Sequence, residues 1–272
     1  MTPHVDVVVV NFNTREDLVA CLASIEANRP ACVRTITVVD NASTDGSVEA
    51  VRARWPVVRV LALPTNVGFG AATNAALRTA DAPLVLLLNS DTLVPAGAID
   101  ALAERLIATG ATAAGPRLID GRGRPEISFG SMLSPVAELR QRSWQALAAC
   151  DWGWARAAVR RRLARERDVD WISGACLLVR RDAAAAVGFF DERYFLYEED
   201  VDLCAALRAR GGRVLFTPQA EVVHRRGRSV AVAGPAGAAE YDRSHLAFYE
   251  KHAPRWAPWL RVWLRVRGRR IR

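Results

Sequence analysis

At 272 residues, 51% hydrophobic and 24% charged, the chain is long enough to bury a sizeable core and too apolar to be disordered. No run approaches the roughly 18 apolar residues of a membrane-crossing helix, and the first residues lack the order of a secretion signal, with Asp6 standing where a basic segment should lead into an apolar one, so the sequence reads as cytoplasmic. The net charge of +8 is uneven: eight of the 37 Lys and Arg fall in residues 251–272, which hold no acid, leaving 29 basic against 29 acidic residues before them. That excludes a uniformly basic nucleic-acid-binding body and points to an appendage that meets an anionic surface.

In chain order, VDVVVVNF (Val5 to Phe12) predicts a buried strand, and Leu18, Leu22 and Ile25 at helical spacing predict a helix over Arg15–Asn28. Further strands are expected at Thr35–Asp40, Val57–Pro64 and Ala82–Asp91, with helices at Ser47–Trp55 and Ala71–Ala80 between them. This rhythm means βαβ units, a parallel sheet covered on both faces, and ligand binding at the C-terminal strand ends. The polar clusters of this half, Asn11 with Asn13, Asp40 to Gly46, Asn66 to Gly70 and Asn89 to Asp91, all fall at those ends. Each could be a turn or cap, but together they point to one site. Residues 128–170 interrupt the pattern with a basic, Trp-containing piece, where helices and an acceptor-facing surface are expected, before an apolar return at residues 171–192. Five cysteines without CxxC or zinc spacing read as buried free thiols.

Asp40 ends a strand, where a carboxylate can accept from a base N–H or a ribose hydroxyl. Asp45 reads equally as a ligand or a helix cap. Asn89 and Asp91, two apart on an extended segment, face the same way, and an oxygen-rich pair there suits Mg²⁺ or Mn²⁺ clamped against a diphosphate. Glu198, Glu199, Asp200 and Asp202 open a helix. The dipole explains part of such a cluster, while crowded like charges raise one another's pKa, as a general base requires. His224 is either structural or a metal ligand, with Arg225, Arg226 and Arg228 as phosphate partners.

Read in order, VVVVNFN, VVDNASTDG, NVGFGAATN, LLLNSDT, WISGACLLVRR, GFFDERYFLYEEDVDLC and the later VVH resemble the inverting family-two glycosyltransferases, in particular their bacterial rhamnosyltransferase-like branch, over residues 5–230. The resemblance implies an α/β GT-A fold, Rossmann-like, with a mostly parallel central sheet flanked by helices. It places the nucleotide-binding half at about 1–120, the acceptor and catalytic half at 121–230, and a helical tail at 231–272. It also implies that Asp40, Asn11 and Asn13 line the nucleotide pocket, that Asn66, Gly68, Phe69 and Asn74 close over the donor, and that Asn89-Ser90-Asp91 stands at the family's DXD motif. Asn89 departs from that motif. Asp91 and His224 would then hold the divalent metal, and Asp200 with Glu199 would serve as catalytic base and neighbour. The implied reaction moves a sugar from a dTDP- or UDP-sugar to an acceptor hydroxyl, on a glycan or a lipid-linked precursor in cell-wall or polysaccharide assembly.

In the tail, Trp256, Trp259, Leu260, Trp263 and Leu264 share one helical face beside Arg261 and Arg265. That face lies either on anionic lipid, making the protein peripheral at the inner face of the membrane, or on the protein's own body. Two other functions compete. A nucleotidyltransferase would need a Gly-rich basic loop after the first strand, where this chain has NFNTRED. A non-catalytic membrane scaffold would tolerate loss of Asp91 and Asp200.

Overall fold

The computed structural model describes residues 4–225 and 228–267, the side chains of residues 226–236 excepted. Its first half is β1 (Val5–Asn11), α1 (Arg15–Asn28), β2 (Val33–Asp40), α2 (Ser47–Arg54), β3 (Arg59–Ala62), α3 (Phe69–Leu77) and β4 (Leu84–Asn89), matching the expected elements to within a few residues. The chain continues through β5 (Thr92–Leu93), α4 (Ala98–Thr109), β6 (Ala113–Ile119), β7 (Phe129–Gly130), α5 (Pro135–Ala149), α6 (Gly153–Leu163), β8 (Arg167–Val169), β9 (Trp171–Ile172) and β10 (Cys176–Arg180). It ends with α7 (Arg181–Ala186), α8 (Glu199–Ala209), β11 (Val214–His224), α9 (Arg228–His252) and α10 (Ala257–Val266).

The main sheet runs β3-β2-β1-β4-β10-β6-β11-β5, with β8 added on β11. β1, β2, β3 and β4 are mutually parallel, as are β6 and β11. The sheet is not parallel throughout, because β10 lies antiparallel between β4 and β6.

β1 and β4 are apolar at almost every position because helices cover both faces. Val5, Val7, Val9, Leu84, Leu86 and Leu88 pack with α1 and α4, whereas Val8, Val10, Val85 and Leu87 pack with α3 and α8. The exception, Asp6, is buried yet satisfied: it accepts from the Thr35 hydroxyl at 2.6 Å and from the amides of Asp81 and Ala82, each at 2.9 Å. All five cysteines are free, and four are buried.

Strands β1 to β3 step one way across the sheet, and α3 then returns the chain so that β4 lies on the other side of β1. The C-terminal ends of β1 and β4 thus flank a topological switch point, where open α/β sheets bind ligands.

The interruption at 128–170 contains α5 and α6, as expected. The boundary expected at 230/231 falls inside α9, whose Leu246, Phe248 and Tyr249 pack with Tyr194 and Val201. The tail's apolar residues divide between two faces. Ala257 and Leu264 are buried beside partly buried Leu260, whereas Trp259, Val262, Trp263 and Val266 are exposed. No helix among the described residues is long and apolar enough to cross a membrane.

Gly68 has φ 86° and ψ 168°, a region only glycine occupies comfortably, and an added Cβ would lie 2.3 Å from the Phe195 carbonyl oxygen. Phe69 N–H donates to that same oxygen at 2.8 Å. Gly68→Ala is therefore expected to cost at least about 2 kcal/mol in denaturant unfolding and to displace the turn that leads into α8.

Candidate active site

The strand ends converge. Asn11 Nδ2 donates to Asp40 Oδ1 at 3.0 Å and to Ser43 Oγ at 3.1 Å, while Asp40 Oδ2 accepts from the Ser43 amide at 2.9 Å. Asn13, at φ 52°, accepts from the Thr44 amide at 2.8 Å. Asn41 Nδ2 donates to Asn66 Oδ1 at 2.8 Å, and Asn66 Oδ1 also accepts from the Gly68 amide. The Thr14 and Ser90 hydroxyls lie 2.7 Å apart, joining the end of β1 to that of β4. Asn11 and Asp40 are buried and spend their polar atoms on this bracing, which leaves Asn13 and the Ser43–Thr44 turn nearer the surface. Asp45 resolves as a cap, accepting from the first amides of both α1 and α2.

Asn74 does not reach the cavity. Its Nδ2 donates to Phe190 O and Glu192 Oε1, and its Oδ1 accepts from Phe190 N–H, so its amide is consumed in clamping α3 to the loop before α8. The expected donor contact is thus a scaffold contact in this structure.

Beyond these ends opens a cavity of about 650 Å³, lined by Phe69, Asn89, Asp91, Glu199, Asp200 and His224 among others. Two chemically distinct walls face it. On the first, His224 Nε2 lies 3.3 Å from Asp91 Oδ1, and its Nδ1 lies 3.2 Å from Glu126 Oε2. Burial works against a proton on His224, but the two carboxylates on opposite ring nitrogens lift its pKa to about 9. Asp91 Oδ1 is buried, with His224 Nε2 beside it. A carboxylate oxygen next to an imidazole nitrogen oriented by Glu126 behind it fits a hard divalent cation. No group of three such side chains converges among the described residues, so a cation held by Asp91 and His224 would draw its remaining ligands from diphosphate oxygens and water. Arg225 sits alongside, its amide donating to Asp91 O at 2.8 Å and its guanidinium 3.8 Å from Asp17. Arg226 and the Arg228 side chain lie outside the described residues.

The second wall is the start of α8, where four acids take separate duties. Asp202 accepts from Tyr194, Lys251 and His252; burial works against its charge, but His252 and Lys251 hold its pKa down and tie α9 to α8. Glu198 accepts from His245 Nδ1 at 2.8 Å, and His245 Nε2 lies 3.2 Å from Glu138 on α5. His245 also stacks on Tyr241. Burial opposes its proton, but the paired carboxylates raise its pKa to about 9, so it is cationic at neutral pH. Glu199 and Asp200 are left facing the cavity. Asp200 accepts from the Gly174 amide at 2.7 Å and the Val201 amide at 2.8 Å. Burial nevertheless pushes its pKa up to about 6, with Glu198 adding repulsion against those stabilising amides. Glu199, whose Oε2 is buried without a partner, is raised further by burial and by Asp200. A carboxylate poised near neutral pH at a cavity wall is suited to taking a proton from a hydroxyl.

His245, Glu126 and Gly174 were not singled out from the sequence. The first two are lone ionisable residues in unremarkable segments, and the third acts through its backbone amide.

A cavity at a switch point that holds a cation-compatible pair and a carboxylate raised toward neutral pH fits a glycosyltransferase, and the chain belongs to the glycosyltransferase-like family 2, whose model matches residues 3–257. It is 35% identical to the N-acetylglucosaminyl-diphospho-decaprenol L-rhamnosyltransferase of Mycobacterium tuberculosis strain H37Rv, over 97% of this chain and 90% of that one. Among solved structures it is similar to the mannosyltransferase PcManGT of Pyrobaculum calidifontis in complex with GDP-Man and Mn²⁺, with a TM-score of 0.62, 18% identity, and coverage of 96% of this chain and 69% of that one. It is also similar to GalNAc-T7 with UDP, GalNAc and Mn²⁺, with a TM-score of 0.61, 15% identity, and coverage of 82% and 43%. The fold is accordingly GT-A.

Asp200 loses its proton as pH rises through about 6, so activity that depends on its carboxylate falls below that pH. Removing the His245 cation leaves Glu198 uncompensated beside it, which disfavours ionisation of Asp200. In His245→Gln the acid limb of the kcat/KM profile should therefore move to higher pH; a profile that only drops in height would assign His245 to folding alone.

Proposed function

We propose that the protein transfers rhamnose from dTDP-rhamnose to a hydroxyl of a sugar carried on a polyprenyl diphosphate, inverting the anomeric configuration. The observation that carries the reaction is the arrangement of Asp200, raised to about 6, in the same cavity as Asp91 and His224. The donor sugar and the lipid-linked acceptor are supported by the name of the mycobacterial relative.

In this reading Asn13 and the Ser43–Thr44 turn, braced from beneath by Asn11 and Asp40, receive the nucleoside, and Phe69 borders the sugar. Asp91 and His224 would hold Mg²⁺ or Mn²⁺, which when bound offsets charge on the departing diphosphate. The Gly174 and Val201 amides fix the Asp200 carboxylate, whose remaining lone pairs take the acceptor proton as the hydroxyl attacks. Attack and departure occur on opposite faces of the anomeric carbon in a single step, so configuration inverts. Glu198 keeps negative charge close to Asp200 and so raises its basicity.

The exposed face of α10 supports attachment to the cytoplasmic leaflet. Trp259 is 71% exposed and Val266 is 82% exposed, with Arg255, Arg261, Arg265 and Arg267 flanking them and Arg267 over the Trp263 ring at 4.0 Å. An aromatic face bordered by arginines suits the interface of an anionic bilayer.

Purified protein given dTDP-rhamnose, N-acetylglucosaminyl-diphospho-polyprenol and Mn²⁺ should yield a rhamnosylated lipid of opposite anomeric configuration, read by NMR. Asp200→Asn should lower kcat about 10²–10⁴-fold, while turnover that survives both Asp200→Asn and Asp91→Ala would point to a scaffold. In sedimentation with phosphatidylglycerol-containing vesicles, Trp259→Ala/Trp263→Ala should release the protein into the supernatant; unchanged binding would remove α10 as the attachment.

A further inference from the structure

A second cavity, of about 630 Å³, is lined by α9, α10 and the Arg193–Phe195 segment. Four arginines line it: Arg193, Arg243, Arg261 and Arg265. Their counter-charges are incomplete. Arg243 pairs with Glu240, Arg261 with Glu250 and Arg193 with Asp191, whereas Arg265 has no partner among the described residues. Only Glu240 and Glu250 of these acids belong to the lining, so the cavity is electropositive. Its volume falls in the roughly 300–1,000 Å³ range of ligand sites, and guanidinium groups bind phosphate through paired hydrogen bonds.

Its position is as informative as its charge. Phe195 lines this cavity, while Leu196 and Tyr197, the next two residues, line the catalytic one. On α9 the division repeats: Ser244 lines the arginine cavity and donates to Leu196 O at 2.8 Å, whereas Tyr241 lines the catalytic cavity. The two linings therefore adjoin along one turn of α9 and one short segment. On the far side, Arg261 and Arg265 belong to α10, the same helix that exposes Trp259, Val262, Trp263 and Val266. Apolar residues, arginine cavity and catalytic cavity thus follow one another through α10, α9 and the Phe195–Tyr197 segment. A lipid-linked sugar has the same order: hydrocarbon, phosphate, hydroxyl.

We propose that the Arg193–Arg243–Arg261–Arg265 cavity is the subsite for the diphosphate of the lipid-linked acceptor, distinct from the Asp91–His224 region that faces the donor diphosphate. The proposal rests on the lipid-linked acceptor of the preceding section and adds where its phosphates are held. Arg243 and Arg261 are partly neutralised by Glu240 and Glu250, so Arg265, with no carboxylate partner among the described residues, carries the largest share of the attraction.

The test uses the full chain and two acceptors, N-acetylglucosamine on farnesyl diphosphate and the same sugar as a phosphate-free alkyl glycoside. In Arg265→Gln, and more so in Arg243→Gln/Arg265→Gln, KM for the diphosphate acceptor should rise at least about tenfold while KM for dTDP-rhamnose stays put. An equal rise for both acceptors, or none for either, overturns the subsite. So does loss of binding to phosphatidylglycerol vesicles with an unchanged acceptor KM in detergent, which would assign the arginines to bilayer headgroups. A second arm needs no turnover and separates failure here from failure of the rhamnosyl reading. Calorimetric titration with farnesyl diphosphate should give affinity weakened about tenfold in the arginine variants and unaffected by Asp91→Ala. The reverse pattern would place that diphosphate at the Asp91 wall.

Discussion

Four carboxylates within five residues at the start of α8 repel one another, and burying them together would be prohibitive unless each found separate compensation. Much of the second half of the chain supplies it. Lys251 and His252 at the end of α9 meet Asp202, His245 in the middle of α9 meets Glu198, and two backbone amides meet Asp200. Only Glu199 is left without a donor on one oxygen. The turn before the helix is itself strained, since Tyr197 and Glu198 have φ of 70° and 66°, at a cost of order 1–3 kcal/mol each. His245, wedged between Glu198 and Glu138, holds that turn where relaxation would otherwise rotate the acids away from the cavity.

The first half was legible because its order is local. A covered parallel sheet writes itself as unbroken apolar runs, and the helices between them show the 3.6-residue spacing, so Val5–Asn11 through Leu84–Asn89 could be placed without tertiary information. Direction and partnership are another matter. CLLVR reads as a strand from its composition, but nothing in five apolar-leaning residues says that it runs antiparallel between β4 and β6. The candidate site divides the same way. Asp91, His224 and Asp200 stood out by strand-end position, clustering and family resemblance, and all three line one cavity. Asn74 occupied the right motif but is consumed by Phe190 and Glu192, a fact set by a loop 116 residues away. His245 was invisible because its meaning comes wholly from Glu138 and Glu198, which the fold brings to it from distant parts of the chain.

The tail shows a limit of helical periodicity. Apolar residues at 256, 259, 260, 263 and 264 fit one broad face, yet α10 buries Ala257 and Leu264 while exposing Trp259 and Trp263. A wheel gives the angular spread of apolar residues but not how much of that arc a neighbouring helix covers. Here α9 covers the small and aliphatic part, and the indoles, larger and carrying an N–H that prefers a wet boundary, remain outside.

The contact between Asp200 and Gly174 bears on how this enzyme can diversify. The Asp200 carboxylate takes its orientation from a main-chain amide, and a Cβ at position 174 would lie only 3.3 Å from Asp200 Cβ. The reach of that carboxylate into the cavity is thus set by two backbones rather than by an adjustable side-chain partner. A lineage exploring new acceptors can reshape the other residues of the cavity lining one substitution at a time, but lengthening the acid to glutamate would require both backbones to part together. Inheritance should therefore keep the pair Gly174 and Asp200 as a single unit while the surfaces that choose the acceptor drift around it.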